Sequence, residues 1–127
     1  MIDLHSHLLP GIDDGPRSIA DSVEMARLAV ADGARAMVCT PHMHPKFPTP
    51  PEQMVAGVVA LRAELERQDV PLEIHTGGEI SLDWIGRMTD DDLRAASIGG
   101  SGRWLLVELP FTGWPLSLPD LLGSLEV

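Results

Sequence analysis

The apolar residues change their period along the chain, and the changes mark its elements. Ile2 and Leu4 alternate with Asp3, which predicts a strand beginning at Met1–Leu4. Pro10, Gly11, Gly15 and Pro16 punctuate a loop from Leu9 to Arg17. Ser18 is placed to cap a helix running to about Asp32, with Ile19, Val23, Ala26 and Val30 as its apolar stripe and Gly33 as its stop. Ala36–Thr40 (AMVCT) is a short, continuously apolar strand of the kind covered on both faces. Pro41–Pro51 reads as a proline-rich loop, and Glu52–Gln68 as a second helix with Val55, Val58, Val59 and Leu65 turned inward. Pro71–His75 starts a third strand leading to Gly77, Gly78 and Glu79. Thr89 caps a short helix to Ala96, with Asp90, Asp91 and Asp92 in its first turn, where the helix dipole favours them. Trp104–Leu109 (WLLVEL) is a fourth strand, and Pro119–Leu125 begins another helix.

Strands alternating with helices predict a parallel α/β fold in one domain, with no internal repeat or linker. Charge narrows the partners. Nine basic against 19 acidic residues give a net charge of −10, and no Lys/Arg cluster is available for a nucleic-acid backbone. A single cysteine, Cys39, excludes an internal disulfide and suits a reducing cytoplasm. The N-terminal residues lack the pattern of a signal peptide, and no apolar run reaches the ~20 residues of a membrane span. The expectation is a cytoplasmic protein.

The candidate chemistry gathers at strand ends. His5 and His7, in HSHLLPGIDDG, lie two residues apart and face the same way on a strand. His42, Glu79 and Glu108 each fall at or just past the end of a later strand, on the face where a β/α barrel carries its active site. Imidazoles and carboxylates without thiolate suit Mn, Fe or Zn. Ions about 3.5–4 Å apart would need bridging carboxylates.

Each residue also has a plainer reading. Asp13-Asp14-Gly15 alone is ordinary turn chemistry, and Glu108 alone is a salt-bridged structural residue. His44 is either a substrate contact or an exposed loop residue. Arg17 either meets an anionic substrate or lies on the helix surface, and His75 reads as a structural histidine within its strand. Cys39 is not a phosphatase nucleophile of the C-x5-R type, because Pro45 stands where the arginine belongs. No G-x-S-x-G, P-loop or dinucleotide motif is present. His-x-His also occurs in metal-dependent amidohydrolases, so the pair does not fix the reaction.

Taken together, HSHLLPGIDDG, CTPHMHP, GGEI and WLLVELP resemble the bacterial PHP-domain (polymerase and histidinol phosphatase) proteins. Within that family they resemble the manganese-dependent protein-tyrosine phosphatases of capsule and exopolysaccharide operons. The resemblance implies a TIM-like β/α barrel with up to three divalent ions, manganese foremost. It makes His5 and His7 ligands of one ion, Glu79 a bridge to a second that Glu108 also holds, and Asp14 with His42 ligands of a third. It implies hydrolysis of phosphotyrosine by metal-activated water, with no catalytic side chain beyond the ligands and with a bacterial tyrosine kinase as the protein substrate.

A second enzymatic reading takes a small phosphomonoester such as histidinol phosphate. A third, non-enzymatic reading is an inactive metal-binding or assembly fragment. The family's later ligand motifs have no counterpart before Val127. Residues 1–127 are therefore expected to be an incomplete PHP domain of about four βα units. An open sheet edge and an exposed apolar face, and with them a candidate homo-oligomer, are expected to follow. Cys39→Ser is expected to leave hydrolysis intact; loss of turnover in a folded, metal-loaded Cys39→Ser chain would contradict the metal reading.

Overall fold

A computed structural model of the chain describes residues 1–113 and 115–125. Its strands are β1 (Ile2–Ser6), β2 (Ala36–Cys39), β3 (His42–His44), β4 (Phe47–Pro48), β5 (Glu73–Thr76), β6 (Glu79–Ser81) and β7 (Leu106–Glu108). The helices are α1 (Ile19–Ala31), α2 (Pro51–Arg67), α3 (Leu82–Ile85), α4 (Asp90–Ala96) and α5 (Leu118–Ser124). A parallel sheet has the order β1-β2-β5, and a second sheet the order β4-β3-β6-β7. Within the second sheet only the β3–β4 pair is antiparallel.

The two sheets continue one another. β2 runs into β3 across Thr40–Pro41, and β5 into β6 across Gly77–Gly78. Backbone bonds Thr40 N–H to Ser6 O (2.7 Å) and Glu79 N–H to Pro41 O (3.0 Å) bridge the junctions. The fold is therefore α/β, as expected, but the wall is built of more and shorter strands. The expected proline-rich loop 41–51 contains β3 and β4 instead. Pro41 precedes β3 and Pro48 lies on the edge strand β4, and at such positions proline removes no ladder bond.

Local chemistry explains the helices. Ser18 Oγ accepts from the Asp21 N–H, and Asp21 Oδ2 accepts from the Ser18 N–H, a reciprocal capping box that starts α1. Gly33, at φ 95°, ends it in the left-handed region. Thr89 and Asp92 repeat the box at α4. Pro51 occupies the first turn of α2, where no N–H is missed.

The core lies between these helices and β2, all four residues of which are buried. The inward stripe of α2 differs from the expected one. Met54, Val58, Leu61 and Leu65 are buried, whereas Val55 and Val59 are exposed. Spacings of four, three and four residues follow the helical period more closely than the adjacent pair Val58–Val59 can. On α1, Val23 and Ala26 are buried and Ile19 is exposed. Trp104 lies outside β7 and is exposed. Ile2 and Leu4 on the sheet edge, and Phe111 and Leu116 after β7, are also exposed apolar residues. The α2 register is testable by denaturant titration. Leu61→Ala is expected to cost about 2–5 kcal/mol and Val59→Ala less than about 0.5 kcal/mol; equal costs would contradict the assigned stripe.

Candidate metal centre

The end of β1 is pinned to the end of β2 by side chains as well as backbone. Ser6 Oγ donates to Val38 O (2.7 Å), and the Ser6 N–H donates to Thr40 Oγ1 (3.0 Å) at an irregularity in the β1–β2 register. His5 and His7, on either side of Ser6, thereby come together with Nε2 atoms 3.3 Å apart. Glu79 is brought to them from β6. A Cβ on Gly77 would meet Val38 Cγ1 at 2.7 Å, and one on Gly78 would meet Met43 Sδ at 2.8 Å. Glycine at 77 lets the chain pass close against Val38 on β2, and at 78 it spares the end of the Met43 side chain a displacement. Glu79 then pairs with His42 in the β3–β6 register.

One carboxylate oxygen now stands among three imidazoles. Glu79 Oε2 lies 3.2 Å from each of His5 Nε2, His7 Nε2 and His42 Nδ1. Glu108 Oε2, at the end of β7, lies 3.7 Å from His42 Nδ1. Asp14 Oδ1 lies 3.6 Å from His42 Nε2 and 3.7 Å from His7 Nδ1. These six side chains form three groups with mutually close ligand atoms: His5–His7–Glu79, His42–Glu79–Glu108 and His7–Asp14–His42.

The donors fit divalent cations. His42 Nδ1, Glu79 Oε2 and Glu108 Oε2 are buried without a satisfying hydrogen bond, an arrangement that is costly unless a cation completes it. Proton accounting limits what the groups hold at once. A neutral imidazole offers one lone pair. His7 Nδ1 faces Asp13 Oδ2 at 2.9 Å, so its proton goes there and Nε2 is the ligand atom, facing His5 and Glu79. His42 likewise serves either Glu79 and Glu108 through Nδ1 or Asp14 through Nε2. Two three-residue groups sharing Glu79 are thus self-consistent, with Asp14 at their edge.

Asp13 is the residue that sequence reasoning passed over in favour of Asp14. Its side chain is almost fully buried, and besides His7 it accepts from the His42 N–H (2.9 Å) and the Gly15 N–H (3.0 Å). A Cβ on Gly15 would lie 2.5 Å from His7 O, so the turn closes only over glycine. The D-x-G spacing of this Asx turn was the available signal. Burial works to raise the Asp13 pKa, but the bonds from His7 and the two amides hold it below its ordinary 3.8. The bond to Asp13 raises His7 above 6.5 against burial, aided by the charges of Asp13, Glu79 and Asp14. In the metal-free chain the His7 contribution to stability is full below pH 6.5 and is lost as pH rises through its raised pKa. The Asp13 contribution is present above 3.8 and is lost as pH falls through its lowered one.

The remaining candidates lie outside the three groups. His44 borders the site and accepts the Lys46 N–H at Nδ1 (3.0 Å). Arg17 is exposed at the start of α1. His75 is only partly covered, 3.2 Å from Glu73 Oε1. Phe47 stacks on the His42 ring at 5.6 Å, a contact not foreseen from the sequence. Cys39 is fully buried, and burial pushes its thiol up to about 12. It is a core residue rather than a nucleophile.

Fold and side chains together define an α/β protein with a histidine- and carboxylate-built candidate metal centre. The chain belongs to the family described as "Capsular polysaccharide synthesis, CpsB/CapC", which matches residues 1–111. It is 33% identical over 129 aligned positions to tyrosine-protein phosphatase YwqE of Bacillus subtilis, covering all of this chain and 50% of that protein. It is 29% identical to the putative tyrosine-protein phosphatase CapC of Staphylococcus aureus, covering 99% of this chain and 49% of that one. A crystal structure from work on YwqE of B. subtilis and CpsB of Streptococcus pneumoniae, described as unique metal-dependent tyrosine phosphatases, superposes with a TM-score of 0.86 at 33% identity. That match covers 99% of this chain and 51% of the solved one. The chain thus spans about half the length of the relatives it matches. Among the described residues, no helix is long and apolar enough to cross a membrane.

Asp13→Asn keeps the shape of the side chain and removes its charge. Metal affinity, followed by calorimetry across pH, is expected to fall about 10- to 100-fold. Its pH midpoint is expected to move lower, because a metal takes neutral imidazole and His7 would lose the bond that raises its pKa. Unchanged affinity and midpoint would contradict the role of Asp13.

Proposed function

We propose that this chain carries the metal site of a divalent-metal-dependent phosphomonoesterase that acts on phosphotyrosine in proteins, as part of a PHP-type β/α barrel. The observation that carries the reading is Glu79 Oε2 at 3.2 Å from three imidazole nitrogens, beside the unpartnered His42 Nδ1 and Glu108 Oε2. A centre of this kind suits phosphoryl chemistry, and the names of the relatives narrow the substrate to phosphotyrosine. The donor set of imidazole and carboxylate, without thiolate, suits Mn, Fe or Zn, and among these the resemblance to manganese-dependent phosphatases favours manganese. The capsular family supports a tyrosine kinase of polysaccharide synthesis as the protein substrate.

Bound ions at such a centre offset charge on phosphoryl oxygens and acidify water. The chain's own residues do the placing. His5 and His7 present nitrogen lone pairs from the end of β1, and Asp13 holds the His7 tautomer that points Nε2 inward. Glu79 is shared between the two groups, and Glu108 closes the second. Phe47 keeps the His42 ring in its plane. No side-chain nucleophile is required: water supplies the new oxygen on phosphorus, the bond to the tyrosyl oxygen breaks, and tyrosine leaves as the phenol.

The test is hydrolysis by the manganese-loaded chain of a phosphotyrosine peptide and, separately, of histidinol phosphate. Turnover of the peptide is expected to exceed that of histidinol phosphate. Glu79→Ala is expected to remove it by more than the roughly 100-fold typical of losing an outer-shell partner. A loaded chain that hydrolyses neither compound, or whose turnover survives Glu79→Ala, would overturn the reading.

A further inference from the structure

The metal groups do not account for every unpartnered buried polar atom. Ser81 Oγ is also buried without a hydrogen-bond partner, in a residue only 7% exposed. Ser81 lies two residues beyond Glu79 on β6, so both side chains face the same side of the sheet, and its register partner on β7 is Glu108. Ser81 and Glu108 border a common cleft of 90 Å³. The cleft's other walls are His44, Leu82, Asp83, Leu109, Pro110 and Phe111. Glu108 therefore belongs to the candidate metal centre on one side and to this cleft on the other.

The walls are chemically divided. A hydroxyl with a free hydrogen-bonding capacity sits at the base beside Glu108. The phenyl ring of Phe111, 98% exposed, stands at the rim with Pro110. An exposed ring at the mouth of a cleft offers its face to another ring, and aromatic pairs gain from that geometry beyond the area they cover. A phosphoryl group held at the Glu108 side of the centre would direct its organic substituent into this cleft.

We propose that the cleft is the subsite for the aromatic portion of an aryl phosphomonoester, with Phe111 against the ring and the Ser81 hydroxyl donating to a phosphoryl oxygen. This rests on the phosphomonoesterase reading above and adds to it the residues that select an aryl over an alkyl substituent. Phe111 and Ser81 take separable parts, since one reads the substituent and the other the phosphoryl group.

Two phosphonates that cannot be hydrolysed separate these parts. Phenylphosphonate and methylphosphonate are titrated calorimetrically into the manganese-loaded chain, alone and as the Phe111→Ala and Ser81→Ala variants. The unaltered chain is expected to bind phenylphosphonate about 10-fold more tightly than methylphosphonate. Phe111→Ala is expected to abolish that preference without weakening methylphosphonate; at 98% exposure its loss leaves the core untouched. Ser81→Ala is expected to weaken both ligands alike and keep the preference. Equal affinities in the unaltered chain, or a Phe111→Ala variant that weakens both ligands equally, would overturn the aryl subsite. Unchanged binding in Ser81→Ala would overturn the role of its hydroxyl. Failure of both phosphonates to bind any form would instead overturn the phosphomonoesterase reading on which the subsite rests.

Discussion

A carboxylate that is nearly buried must be compensated, and the contact between Glu79 and three imidazoles is the constraint on which the rest of this structure depends. Burying an ionised carboxylate without partners is among the most costly things a fold can do. Here three imidazoles from the ends of two other strands face that carboxylate, so that a cation held among them would compensate it, and each arrival has a local cause. Ser6 and Thr40 tie β1 to β2 so that His5 and His7 flank a fixed point. The β3–β6 register places His42 opposite Glu79. Two glycines let the chain carrying Glu79 pass against Val38 and Met43.

Asp13 shows how a second layer of interactions turns proximity into a defined protonation state. One carboxylate joins the turn at Gly15, the ring of His7 and the backbone of His42. The bond to His7 decides which nitrogen faces the centre. The same bond raises the His7 pKa, so the arrangement that orients this candidate ligand would also make cation binding there sensitive to pH. Asp14, one residue on, is largely exposed and faces the rim. Adjacent, identical side chains thus take unlike parts because a tight turn sends one inward and the other outward.

Much of this was legible in the sequence because it depends on local rules. The caps Ser18 and Thr89 and the buried strand Ala36–Cys39 follow from short-range chemistry and hydrophobic period. The placement of His5, His7, His42, Glu79 and Glu108 close to one another was expected from their positions at successive strand ends, and that of Asp14 from the family resemblance; the structure brings the six into three linked groups. What escaped depends on tertiary pairing. β3, β4 and β6 are two or three residues long, too short for a periodic signal, and exist because neighbouring strands supply their hydrogen bonds. Val59 looked as apolar as Val58, but the helix has only one inward stripe. Asp13 and Ser81 acquire meaning only when distant residues surround them.

The central claim is that the two residue groups sharing Glu79 would each hold a divalent cation. Elemental analysis of the manganese-loaded chain after removal of free metal tests it most directly. The account predicts two or more ions per chain; a chain that retains none, or only one, would contradict it.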